Sequence, residues 1–189
     1  MKDSQNDSVL EVINVSDPDN PTMVSALSMT YSPYRMWVAD SIVYLATRNG
    51  GMRVIDYHDP SSPNELSSVL TDVRGIAVVD TLAFMDGDNA DLYVFSMSNL
   101  SSPFVISSLD MPFGWTAVSD VLIPENGLLY WASDNTRGII NISDPVNPEI
   151  LVIEDGGATD VALYGNNLVY TLGDEGTLIV QNNSILHYQ

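Results

Sequence analysis

"MRVIDYHDPSSP", residues 52–63, is the stretch whose reading decides the fold. It is an apolar strand run into a polar turn, with a proline after the turn. The Asp of such a turn can accept backbone N–H bonds, and the Pro supplies a fixed φ. The same phrase returns as "LEVINVSDPDNP" (10–21), "LYVFSMSNLSSP" (92–103) and "GIINISDPVNPE" (138–149). Its turn marker stands at Asp17, Asp59, Asn99 and Asp144, at spacings of 42, 40 and 45. A second stretch keeps the period: "SDVLIPENGLLYWASD" (119–134) aligns without a gap on "TDVALYGNNLVYTLGD" (159–174), an offset of 40.

Self-similarity at about 40–50 residues is the signature of a four-stranded propeller blade. Each unit holds four turn-separated strands. In one copy "GIAVV" (75–79) and "LAFM" (82–85) flank the turn Asp80-Thr81. A Gly/Asn/Asp-rich turn follows, then the third strand with its Asp-Pro turn, then a fourth strand such as "ELSSVL" (65–70). Helical periodicity is absent over any useful length. The fold class is therefore all-β: a β-propeller-like array of four-stranded antiparallel blades, about four in number. The expected division is a tail over 1–9, a half blade over 10–33, and blades over 34–73, 74–113 and 114–157. A partial blade over 158–183 and a tail over 184–189 complete it. First and second strands begin near 35, 75, 120 and 160, and fourth strands near 22, 64, 104 and 149. Third strands begin near 10, 52, 92, 138 and 177, one more than the other types. Two arrangements accommodate this. Residues 10–28 can complete the blade begun at 158–180 and close a small ring, or the chain is a partial propeller or open arc.

The copies at 12–21, 54–63 and 139–148 resemble the LVIVD repeat, a family named for its Leu-Val-Ile-Val-Asp strand. The likeness covers residues 10–182 and weakens at 92–103, where Asn99-Leu100 replaces Asp-Pro, and at 177–183, where "TLIVQNNS" loses the turn. The resemblance implies a β-propeller and an extracellular or cell-surface setting, largely bacterial or archaeal. It implies no reaction, because fold alone does not carry function.

Six Lys+Arg against 25 Asp+Glu give a formal charge of −19. A field of that sign repels phosphate backbones, which argues against nucleic acid and anionic membrane as partners. With no cysteine, disulfides, thiolate metal sites and cysteine nucleophiles are excluded. No window reaches the roughly 18 apolar residues that a membrane helix needs. The N-terminal "MKDSQNDSVL" lacks the apolar core of a secretory leader, so a cytoplasmic setting stays open.

In propellers, the segments entering the first strands ring the central channel. Here they carry Tyr34-Arg35, Arg74-Gly75, Ser119-Asp120 and Thr159-Asp160. Two arginines and two aspartates at one mouth suit a small zwitterion or carboxylate, or pair across the channel and stiffen it. The longer connection "SLDMPFGWTAV" (108–118) adds Trp115, a candidate protein or carbohydrate contact or a channel plug. "DGDNAD" (86–91) offers Asp86, Asp88 and Asp91 to calcium but breaks the EF-hand pattern, since Ala90 takes its fifth position. His58 and His187 are the only histidines, which leaves zinc sites and Ser-His-Asp triads without support. The expected role is a non-catalytic scaffold binding a protein or small polar ligand, with self-association through open blade edges. The alternative is a hydrolase or lyase at the channel mouth.

Overall fold

The computed structural model describes residues 8–47, 49–69, 73–87, 91–111, 121–133, 135–165, 167–172 and 176–181. They form seventeen strands, β1 to β17, and no helix. The strands fall into a hairpin and four antiparallel blades. The hairpin is β1 (Ser8–Asn14) with β2 (Thr22–Met29). The first blade is β3 (Pro33–Ala39), β4 (Ile42–Thr47), β5 (Gly51–Asp56) and β6 (Asn64–Val69). The second is β7 (Val73–Val79), β8 (Leu82–Gly87), β9 (Asp91–Ser96) and β10 (Phe104–Asp110). The third is β11 (Val121–Glu125), β12 (Leu128–Ala132), β13 (Thr136–Asn141) and β14 (Glu149–Asp155). The fourth has three strands, β15 (Asp160–Tyr164), β16 (Asn167–Thr171) and β17 (Thr177–Gln181).

This is a β-propeller of four blades, and local chemistry sets each turn. First-to-second hairpins turn on two residues, the first of them left-handed: Asp40 (φ 53°), Asp80 (φ 51°) and Asn126 (φ 51°). Asp and Asn tolerate that region better than other side chains. At the third blade Gly127 follows Asn126 at φ 76°, giving the doubly positive pair of a type I′ turn. The matching hairpin of the fourth blade joins Tyr164 to Asn167, whereas the third joins Glu125 to Leu128. The two hairpins are thus one residue out of step with the ungapped sequence match, a slip absorbed by the exchanged order Asn-Gly and Gly-Asn.

The turn after each third strand is built from hydrogen bonds that repeat. Asp17 Oδ1 accepts from Asp19 N (3.2 Å), Asp59 Oδ1 from Ser61 N (3.0 Å) and Asp144 Oδ1 from Val146 N (3.1 Å). Asn99 departs from the consensus, yet its Oδ1 accepts from Ser101 N at 3.1 Å and does the same work. A second acceptor stands just before it, at the last residue of the strand. Asn14, Asp56 and Asn141 take the N–H two residues on, at 2.9, 2.7 and 3.0 Å.

The core lies between blades, not within them. Tyr44, Ala46, Met52 and Val54 of the first blade pack on Ile76, Val78, Met85 and Phe95 of the second. Phe84, Leu92 and Val94 meet Leu129, Trp131 and Ile140, and Tyr130, Ala132 and Ile139 meet Val161, Leu168 and Tyr170. Inner strands sandwiched in this way are apolar on both faces: in β4 and β8 all but the first residue is buried.

The hairpin β1–β2 forms its own sheet and packs through Leu10 and Leu27 on Val43, Leu45 and Ile55 of the first blade. The sheet of β15–β17 contains neither of its strands, so the ring-closing pairing of residues 10–28 with 158–180 is not made. The physical reason is edge occupancy: β17 takes the free side of β16, from Asn167↔Gln181 to Thr171↔Thr177, where β1 would have to bind.

Candidate functional site

The channel-mouth positions fall where first strands begin. Arg35 lies in β3 opposite Ala46 and is half-buried, its Nε without a hydrogen-bond partner among the described residues. Tyr34 is 44% exposed and, with Tyr31, Pro33 and Asn49, lines a cavity of about 370 Å³. Arg74 sits in the β7 irregularity, where the Asp86 carboxylate accepts the N–H of Arg74 (3.0 Å) and of Gly75. Asp160 is exposed at the start of β15, and its Oδ1 accepts from Val161 N at 2.9 Å. Beside it Thr159 and Thr171 share a hydroxyl contact of 2.8 Å. Trp115 and Asp120 lie outside the described residues. In strand register Arg35, Gly75 and Asp160 hold equivalent places and Arg74 holds that of Tyr34, with Asp86 as a buried brace the sequence reading did not foresee.

Of the calcium candidates, Asp86 is 2% exposed and spends its carboxylate on backbone N–H groups. Asp91 accepts from the Tyr93 hydroxyl at 3.4 Å, and Asp88 lies outside the described residues. No group of three His, Asp or Glu gathers as metal ligands among the described residues.

Two arginines that sequence reasoning passed over are structural. Arg53 bonds Glu65 at 2.8 Å and lies over the Tyr31 ring at 5.2 Å. Arg137 bonds Glu154 at 3.0 Å and covers Tyr170 of the next blade at 5.7 Å. Tyr170 is itself pushed above the usual phenol range, chiefly by burial and then by the Glu154 charge.

A third pattern links neighbouring units. Ser25 Oγ in β2 donates to Pro60 O, Ser67 Oγ in β6 to Leu100 O, and Ser107 Oγ in β10 to Pro145 O, each at 2.6 Å. Every donor stands opposite the same third-strand position, Val12, Val54 or Val94, beside a register shift. In β14 that place, opposite Ile139, is held by Val152, which has no donor. Because Ser25 makes the bond too, the hairpin occupies the place of a blade's outer half.

Among the described residues no strands fill the inner half of that blade, and its neighbours show it. Met36 and Val38 of β3 are 63% and 49% exposed. Their counterparts in β7, Ile76 and Val78, are each 4% exposed, covered by the preceding blade. The other end is bare as well. Ile179 is 64% exposed, whereas the residues at its place in the earlier blades, Val54, Val94 and Ile139, are at most 3% exposed against the blade that follows. Tyr164 is 79% exposed. The molecule therefore presents two apolar faces of the kind it buries three times internally.

Residues 34–71, which span the first blade, match the family model described as LVIVD repeat. These residues are similar to an LVIVD repeat. Among curated proteins, none matches the chain. Two crystal structures of computationally designed proteins are similar in fold. Ika4 aligns at TM-score 0.62 and 14% identity over 81% of this chain and 92% of its own. Ika8 aligns at TM-score 0.59 and 14% identity over 78% of this chain, which spans only 45% of Ika8. At that identity the likeness shows a shared fold and nothing about what the LVIVD repeat does here.

Proposed function

We propose that the chain is a non-catalytic scaffold that binds protein through its uncovered blade faces. Following the LVIVD resemblance, we place it at the cell surface or outside the cell. The observation that carries this reading is the exposure of Met36, Val38 and Ile179 at positions buried in complete blades. Apolar surface of that kind is stabilised by being covered, at about 25 cal/mol per Å² removed from water. The channel-mouth groups support the same reading: Asp86 braces backbone, and Asp160 caps its own strand.

The test is a photo-crosslinking amino acid at Met36, Ile179 and, as control, Thr159 at the channel mouth. Protein adducts at 36 and 179 but not at 159 are expected. Adducts confined to 159, or none at any position, would overturn the scaffold reading.

A further inference from the structure

We infer that the inner half-blade beside β3, which no described strand fills, is supplied by β15 and β16 of a second copy of this chain. The inference rests on the scaffold reading and names its partner. Three features meet in it. The hairpin β1–β2 holds the outer half of a blade through Ser25 and leaves the inner half open. β15–β16 is an inner half whose far face, with Ala162, Tyr164 and Thr171, is exposed. For the shared blade two third-type strands are available, β1 and β17, and only one can lie along a given β16.

Placed together, β1 of one copy replaces β17 along β16 of the other. By equivalence with the β4–β5 pairing, Asn14 then stands opposite Asn167 and Val12 opposite Val169. The exchange is favoured by packing on both faces. Ala162, Tyr164 and Val169 cover Tyr34, Met36 and Val38. Ile13, 50% exposed in the single chain, takes the place held by Ile55, Phe95 and Ile140, each at most 1% exposed. The displaced β17 is the weaker competitor, because "NNS" (182–184) after it lacks the Asp-Pro turn and, among the described residues, no fourth strand pairs with it. A shared blade made this way is a head-to-tail contact, and it closes into a ring when the rotation allows.

The absence of cysteine makes the test clean. A Val12→Cys chain is mixed with a Val169→Cys chain and oxidised. A disulfide-linked pair of twice the single-chain mass is expected, and light scattering of the unmodified protein should give the same doubled mass. Met36→Asp should return the mass to that of one chain. In a chain carrying both cysteines, an intrachain disulfide without an interchain one would mean the chain closes on itself and would overturn the inference. So would a single-chain mass for the unmodified protein. If adducts at 36 and 179 are then to other proteins, the scaffold reading stands and only the identity of the partner fails.

Discussion

Asp59 and Asp144 show how much one side chain contributes to this fold. Each is solvent-exposed, and each carboxyl is held below its usual range by its own turn: Asp59 first by the Ser61 hydroxyl, Asp144 first by the Asn147 amide. A depressed folded-state value means that stability is fully present above the unfolded value, near 3.9, and is lost as pH falls through the folded one. Asp59→Asn and Asp144→Asn should therefore flatten the loss of stability below about pH 4, measured by urea unfolding across pH. Asn99 already has an amide in this role, so Asn99→Ala should lower stability with no change in its pH dependence. Gly138 is a different kind of requirement. A Cβ there would meet Val152 O at 2.1 Å and the Trp131 ring at 2.3 Å. Gly138→Ala should cost about 1–3 kcal/mol by overpacking, read from the same unfolding curves.

At the scale of elements, the turns were legible in the sequence and the links between blades were not. Asp-Pro, Asn-Gly and Asp at strand ends announce themselves because their backbone demands are local. The serine donors do not. Ser25, Ser67 and Ser107 are small polar residues in half-exposed strands, and their acceptors lie 35, 33 and 38 residues away. No local pattern marks such a bond. Asp86 hid for the same reason: it read as part of a polar turn, yet it is a buried acceptor for β7. The strand inventory, including the surplus third strand, was readable from the period. Which sheet the surplus strand joins was not, because that depends on competition between β1 and β17 for one edge. Ser67→Ala should destabilise by about 1 kcal/mol, the usual net worth of one hydrogen bond. Combined with Ser107→Ala the losses should add, since the two bonds lie at different junctions.

Across the whole molecule, charge and stacking pull in opposite directions. A formal charge of −19 repels itself in the compact state, while the apolar faces between blades draw the chain together. Salt screens the first and barely touches the second. The melting temperature should rise as sodium chloride goes from about 0.01 M to 0.3 M, followed by circular dichroism, with most of the rise at the low end as the Debye length shortens. Arg53→Ala should not abolish that rise, because one half-exposed ion pair is a small part of so large a field.

The serine links carry a consequence for heredity. The first and second blades each lend one hydroxyl forward and offer one carbonyl backward, so these two units are chemically interchangeable. A gene duplication that inserts a further copy of either blade beside it creates one new donor and one new acceptor, and orphans neither. Arrays of this kind can lengthen or shorten by whole repeats in a single genetic event, with the junctions of the copied blade already provided for.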